Sequence, residues 1–335
     1  MPKFAIASGI KSVNIYLLSV IERVINMTDE RFIWKNGIIM PWEQVTTHVL
    51  THGLHYGSAV FEGIRCYKTQ AGLAIFKLKE HIDRFFYSAK QLGMKLNFTQ
   101  LEICQAVIET VRKHRNEECY IRPLAYYGYG SMKVVPALDL PVDIVIACWP
   151  WGEYLPVAAV DVAISPFIRI HPKSTVADAK ISGHYVNSIL AGLAIRNTHY
   201  HEALLLDAEG FVAEGSAENI FIVKNGKLIT TPRGTILVGI TRDTVIDIAK
   251  QMGFEVEERP FNVDEIYTAE EAFFTGTAVE VTAIRSLADQ LIGQEEIGPV
   301  TRQIITEFQK VVRGHNPNYQ SSLTFVNKAE EVATV

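Results

Sequence analysis

The chain is poor in cysteine, and its four cysteines, Cys66, Cys104, Cys119 and Cys148, form no C-x-x-C pair. That spacing offers neither a zinc ribbon nor a thioredoxin-like motif, and a reduced compartment is the simpler setting. There is no dense run of Lys or Arg and the net charge is −5, so the electrostatic footprint of a nucleic-acid binder is missing. No apolar stretch reaches the roughly 20 residues of a membrane span. No repeat, P-loop or G-x-S-x-G elbow occurs. Gly128-Tyr129-Gly130 lacks the third glycine of a dinucleotide loop. His52 and His55, and His199 and His201, come without a third ligand, so no metal site is expected.

What remains is a globular composition. Hydrophobic residues make up 48% and charged residues 21% of 335, enough chain for two ordinary domains or one large one. Residues 1–26 are apolar, but Lys11 and Asn14 interrupt the run and no small-residue cleavage site follows. Two readings stay open there: an amphipathic presequence, or a functional chain that starts at Met27.

Residues 31–42 read as a hairpin around Asn36-Gly37, and Asn225-Gly226 marks a second one. The stretch from Leu73 begins as a strand and turns into a helix, with Ile82, Phe85, Phe86 and Ala89 on one face and Gly93 as its stop. Strand-like runs at 143–149 and 160–167 flank a Pro- and Gly-containing segment, where a linker is placed. TRDTVIDIAKQMGF reads as a helix with Thr241 as N-cap, Asp243 in the first turn and Gly253 as the stop. The tail after about residue 324 is polar and reads as frayed. Strands interrupted irregularly by few helices indicate α+β rather than a doubly wound sheet. The division expected is an N-terminal extension 1–26, a small α+β domain 27–148, a linker 149–158, a large α+β domain 159–324 and a tail 325–335.

Lys180 is unlike the other lysines, because it sits among Val176, Ala177, Ala179, Ile181 and Gly183. A lysine that attacks a carbonyl must be neutral, and partial burial lowers its pKa. Glu214 is followed by small residues, Gly239-Ile240-Thr241 precede a helix whose N-terminus suits a phosphate, and Gly276-Thr277-Ala278 offers a second cradle of backbone N–H groups. Arg84 adds a cation suited to a phosphate, and Tyr185 stands five residues after Lys180. Tyr120 and Arg122 alternate onto one face of a strand. Each of these alone reads more readily as structure: a buried lysine, a turn glutamate, a capping threonine, a solvated arginine. Together, one lysine, one carboxylate and two phosphate-binding turns are what a pyridoxal 5'-phosphate site requires.

These segments resemble the fold-type IV pyridoxal phosphate enzymes, and among them the branched-chain amino acid aminotransferases. The resemblance runs from about Phe32 to about Thr306 and rests on HYGSAVFEGIRCY (55–67), EHIDR (80–84), YIRPL (120–124), PWGEYL (150–155), AKISGHY (179–185), EGSAENIF (214–221), GITRD (239–243) and GTAVEVTAIRS (276–286), in that order. It implies a two-domain α+β fold with Lys180 as the Schiff-base lysine and proton shuttle, Glu214 at the pyridine nitrogen and Tyr185 at the ring oxygen. Arg84, Ile240, Thr241 and Thr277 would hold the phosphate. Tyr120 and the Thr277-Ala278 turn would hold the substrate α-carboxylate, and Arg122 the distal carboxylate of glutamate. Phe61, Tyr154, Trp151 and Tyr56 would wall the side-chain pocket. Tyr56, Arg65 and Val134 would reach in from a neighbouring subunit, so a homodimer is the minimum unit and a hexamer is compatible. The implied reaction passes the amino group of L-leucine, L-isoleucine or L-valine to 2-oxoglutarate by a ping-pong route in the cytoplasm. D-Amino acid aminotransferase, aminodeoxychorismate lyase and R-selective amine transaminase are the competitors on the same fold. The chain departs from the family at Ile181-Ser182-Gly183-His184, where Gly-Gly-Asn is usual, and at Ala283, where proline is frequent.

Overall fold

The computed structural model describes residues 31–114, 117–152 and 157–327. The expectations for 1–26 and for Tyr154 lie outside the described residues. The fold is α+β, built on two sheets. The first comprises β1 (Phe32–Lys35), β2 (Ile38–Pro41), β3 (Ala59–Phe61), β4 (Ile64–Thr69), β5 (Gly72–Phe76), β6 (Cys119–Tyr127), β7 (Val142–Pro150) and, from the far end of the chain, β17 (Leu323–Phe325). Its order is β17-β5-β4-β6-β7-β1-β2, with β3 paired to β6. The second comprises β8 (Ala159–Ile164), β9 (Glu202–Leu206), β10 (Val212–Glu214), β11 (Asn219–Lys224), β12 (Lys227–Thr230), β13 (Val256–Glu258), β14 (Glu271–Gly276), β15 (Glu280–Leu287) and β16 (Gln290–Leu291). Its order is β10-β9-β8-β15-β14-β11-β12-β13, with β16 on β15.

The turns follow their chemistry. Asn36 and Gly37 have φ 47° and 95°, and Asn225 and Gly226 have φ 52° and 72°. Two successive positive φ values match the twist of a two-residue hairpin. The helix Leu78–Gln91 buries Leu78, Ile82, Phe85 and Ala89 and is followed by Gly93 at φ 69°. The same buried face carries His81 and Ser88, two polar residues that an apolar core would not select. The helix Gln100–Arg112 starts in a capping box, Thr99 with Glu102. The last long helix, Pro299–Val312, is capped from across the molecule: the buried Glu271 carboxylate accepts Val300 N–H at 2.9 Å and Thr301 N–H at 2.7 Å.

One core lies between the first sheet and its two helices and extends to Ala179 and Ile181 beside Lys180. A second joins the sheets, packing Tyr67, Ala74 and Phe76 with Phe221, Phe273, Val245 and Phe308.

The structure corrects three expectations. Gly239, not Thr241, is the N-cap of the helix Ile240–Gln251, because Gly239 has extended ψ 132° while Thr241 is already in the first turn and buried. The strand that the sequence ends at 149 runs on to Pro150, paired to Cys119. The chain is not frayed immediately after 324: Phe325 completes β17 against Ala74, and Val326 is buried, donating its N–H to Leu73 O and accepting from Arg112.

Candidate active site

Lys180 is held by its backbone on both sides. Its N–H donates to Ser88 Oγ at 2.9 Å, and its carbonyl accepts Phe61 N–H at 3.1 Å. A bridge between Val60 and Ile181 ties the same segment to β3. The chain then makes one 3₁₀ turn, Ser182–His184, and Tyr185 opens the helix Tyr185–Ile195. This turn brings Tyr185 back beneath the lysine, so that Lys180 Nζ donates to Tyr185 Oη at 2.8 Å. The turn itself rests on Gly57, whose carbonyl accepts Gly183 N–H at 3.1 Å. Burial first, then the Arg84 charge, lowers the Lys180 pKa to about 8. Burial also pushes the Tyr185 phenol well above its ordinary value.

Glu214 ends β10 and is buried, so it is not a solvent-facing turn residue. Its Oε1 accepts Arg169 Nε–H at 2.5 Å and its Oε2 accepts Asn219 Nδ2–H at 3.0 Å, while Leu237 N–H approaches both oxygens at 3.2 and 3.3 Å. Burial raises the Glu214 pKa, and the Arg169 charge and these donors act against it. Such a carboxylate can hold a proton on a ring nitrogen presented to it.

The anion-binding end is formed by two turns. The helix Ile240–Gln251 starts at Gly239 with no side-chain cap, which leaves first-turn N–H groups for a ligand. Thr275, Gly276 and Thr277 line the same cavity as Gly239, Ile240, Thr241, Arg84 and Lys180. Thr275 Oγ1 is buried there without a hydrogen-bond partner. An orphaned hydroxyl beside an uncapped helix N-terminus fits a phosphate group.

Phe61, Tyr120 and Arg122 lie near the lysine, and Trp151 packs on Tyr120. Tyr120 stacks on Trp151 with ring centres 4.4 Å apart, and Arg122 Nη2 donates to Tyr120 Oη at 3.1 Å. The Arg122 guanidinium lies 4.6 Å from the centre of the Phe61 ring, and Lys180 Nζ lies 5.1 Å from it on the same ring. An apolar wall that includes an arginine offers places for both an aliphatic side chain and a carboxylate.

One cavity therefore gathers Lys180, Tyr185, Glu214, Arg84, Ile240, Thr241 and Thr277, and Ala278 follows in the half-buried turn. Tyr56 and Val134 are apart from it and exposed, the Tyr56 hydroxyl donating to Met132 O at 2.9 Å. Arg65 is ion-paired with Glu280 at 2.9 Å. Residues that the sequence did not single out are Glu62, His81, Ser88, Arg169 and Asn219. Glu62 lies inside the quoted segment 55–67, next to Phe61; Arg169 has no motif around it.

The description "Amino-transferase class IV" belongs to a family model that matches residues 59–287. The chain belongs to the class IV aminotransferases. Within that class it is 42% identical to the branched-chain-amino-acid aminotransferase of Pseudomonas aeruginosa, over 88% of this chain and 97% of the relative. It is similar to the crystal structure of the T.th. branched-chain amino acid aminotransferase complexed with N-(5'-phosphopyridoxyl)-L-glutamate, at 42% identity and TM-score 0.85 over 89% of this chain and 99% of that one. The Escherichia coli branched-chain amino acid aminotransferase structure gives 38% identity and TM-score 0.87 over 89% and 100%.

Proposed function

We propose that this protein is a branched-chain amino acid aminotransferase that works with pyridoxal 5'-phosphate. It takes the amino group of L-leucine, L-isoleucine or L-valine, leaves the branched 2-oxo acid, and passes the group to 2-oxoglutarate to give L-glutamate. The reaction is reversible. Transamination and the branched-chain substrates agree with the relatives' activity, and the cofactor with the phosphopyridoxyl and pyridoxamine complexes of the T.th. enzyme. The cofactor supplies the aldehyde that carries the amino group and the ring that takes up electron density.

The observation that carries the residue assignment is the Lys180–Tyr185 hydrogen bond of 2.8 Å in one cavity with the Glu214 carboxylate. On this reading Lys180 is the cofactor's attachment point, and its Nζ moves the proton from the substrate α-carbon. Glu214 keeps the ring nitrogen protonated, and Tyr185 orients the ring oxygen. Arg84, Ile240, Thr241 and Thr277 hold the phosphate. Tyr120 and the Thr277-Ala278 turn take the α-carboxylate. Arg122 takes the second carboxylate of glutamate, while Phe61 and Trp151, with Tyr154, take aliphatic side chains. Because both substrates use one site in turn, ping-pong kinetics follow.

A homodimer is part of the proposal, with Tyr56, Arg65 and Val134 of one subunit completing the pocket of its partner. Its support is the exposed apolar surface around Tyr56, where Val134 and Val135 are 72% and 79% exposed. A cytoplasmic setting is proposed from the four free thiols. Two domains, 27–148 and 159–324, joined by 149–158, are proposed as the units that meet at the site. Among the described residues no helix is long and apolar enough to cross a membrane.

The test is the visible absorption spectrum of the purified protein. Addition of L-leucine is expected to convert the cofactor to its amine form, and 2-oxoglutarate to restore it. A response to D-alanine or an R-amine with none to L-leucine would overturn the substrate assignment.

A further inference from the structure

Glu62 is a carboxylate with no solvent exposure in the middle of the first sheet's connection to the site. It follows Phe61 of β3, and its own N–H donates to Pro123 O at 2.9 Å. Three donors converge on it. Arg84 donates Nε–H to Oε1 at 2.6 Å and Nη2–H to Oε2 at 2.8 Å, a bidentate fork. His81 Nδ1, one helical turn before Arg84, lies 2.7 Å from Oε2. Burial works to raise the Glu62 pKa, yet the Arg84 charge and the hydrogen bonds from Arg84 and His81 hold it well below the carboxylate range. The carboxylate is therefore ionised and committed to Arg84.

The fork governs which atoms of Arg84 remain for a ligand. A guanidinium has five N–H groups in one plane. Two go to Glu62 and a third, on Nη1, goes to the Val238 carbonyl at 2.8 Å, immediately before the Gly239 cap. The plane is thus pinned at one edge by a carboxylate and at the other by the anion-binding turn itself. The remaining N–H groups belong to a side chain that lines the cavity beside Thr241 and Thr277. A guanidinium freed of its fork would regain rotamer freedom and lose this fixed aim.

We propose that Glu62, steadied by His81, is the positioning residue that aims Arg84 at a phosphate monoester, and so sets the preference of the site for the phosphorylated over the unphosphorylated cofactor. The inference rests on the reading of Arg84 as a phosphate ligand, and deepens it. Glu62 does not line the cavity, whereas Arg84 does; Glu62 acts through Arg84. A carboxylate that merely stabilised the fold would alter the binding of pyridoxal phosphate and pyridoxal alike.

The experiment measures dissociation constants of both compounds for the full-length protein and its Glu62→Gln, His81→Phe and Arg84→Met variants, released from cofactor by dialysis and then titrated. Glu62→Gln keeps the shape and removes the charge. It is expected to weaken pyridoxal phosphate roughly ten- to hundredfold, the worth of a charge-assisted hydrogen bond, and to leave pyridoxal within about twofold. Glu62→Asp should recover part of the ratio, and His81→Phe should lower it by a smaller factor. If Arg84→Met lowers the ratio while Glu62→Gln leaves it unchanged, or weakens both ligands equally, the role of Glu62 is overturned. If Arg84→Met itself leaves the ratio unchanged, the phosphate assignment of Arg84 falls, and the inference with it. Should Glu62→Gln not fold, His81→Phe carries the same test, and an unchanged ratio there overturns the proposal.

Discussion

Arg169 donates its Nε–H to Glu214 Oε1 across 2.5 Å, from a strand-flanking loop that carries no recognisable motif. The pair is largely buried, with side chains 11% and 7% exposed. Removing one partner of such a pair is strongly destabilising, because the other charge stays buried without compensation. Arg169→Met is predicted to destabilise the protein by about 3 kcal/mol. It is also predicted to change the pH dependence of stability. Glu214 already has a folded pKa above its ordinary 4.5, chiefly from burial, so its stability contribution is present below that value and lost as pH rises through the folded pKa. Without Arg169 the folded pKa rises further and the loss extends to higher pH. Unfolding midpoints measured from about pH 4.5 upward should fall more steeply with pH in the variant than in the wild type; parallel curves would contradict the coupling.

Lys180 has the opposite linkage. Its pKa of about 8 lies below the ordinary 10.5, so between these values the folded cofactor-free protein binds fewer protons than the unfolded chain. That contribution to stability therefore rises with pH across the window from about 8 to 10.5. Lys180→Ala is predicted to abolish turnover and to remove this component, with no loss of stability near neutrality, since an unfavourably buried cation has gone. Turnover at the wild-type rate would refute the assignment of Lys180. The same shift predicts that the cofactor-free protein captures pyridoxal phosphate faster as pH rises towards about 8, with a plateau above it.

On the proposed reading, Arg122 is the residue that tells the two substrates apart. Only glutamate and 2-oxoglutarate bring a second carboxylate, and only they gain from a half-buried cation packed against Phe61 and Tyr120. Arg122→Ala is predicted to lower kcat/KM for 2-oxoglutarate roughly ten- to hundredfold more than for L-leucine, as expected for a hydrogen bond to a charged group. Equal losses for both would show that Arg122 shapes the pocket without reading the carboxylate.

What was legible in the chain is local. Asn-Gly turns, the spacing from Lys180 to Tyr185 and the small residues at 239 and 276 each express a rule that acts over a few positions. Arg169 reaches Glu214 across 45 positions and Arg84 reaches Glu62 across 22, through packing that no window of sequence encodes. Thr241 lies inside the helix rather than at its cap for a related reason. A threonine is a good cap in isolation, but Asn219 lies so close to Gly239 that any side chain there would collide with it, and the glycine takes the capping place. The order at Phe325 and Val326 depends on pairing as an edge strand beside β5, a contact between segments far apart in the sequence. His184, the departure from the family motif, keeps its imidazole within 2.6 Å of Thr175 Oγ1, so the altered turn still closes.

The turn beneath Lys180 makes the last prediction. Gly57 has φ 63°, and a Cβ on it would lie 2.7 Å from Gly183 Cα. The two backbones touch because neither carries a side chain, and the Gly183 N–H to Gly57 carbonyl bond of 3.1 Å holds them there. Gly57→Ala thus meets two costs, about 1–2 kcal/mol for a left-handed conformation and about 1–3 kcal/mol for overpacking. The second cost is relieved by moving Ser182–His184, which displaces Tyr185 from Lys180. Gly72 separates the two contributions: it has φ 109° but nothing within 4 Å of an added Cβ, so Gly72→Ala carries backbone strain alone. Gly57→Ala is expected to lower Tm further than Gly72→Ala and to reduce kcat at least tenfold, given how strongly misplacement of reacting groups slows a reaction. Gly72→Ala should leave kcat unchanged. If both variants lose stability equally and neither loses activity, the Gly57–Gly183 contact does not set the position of the lysine turn.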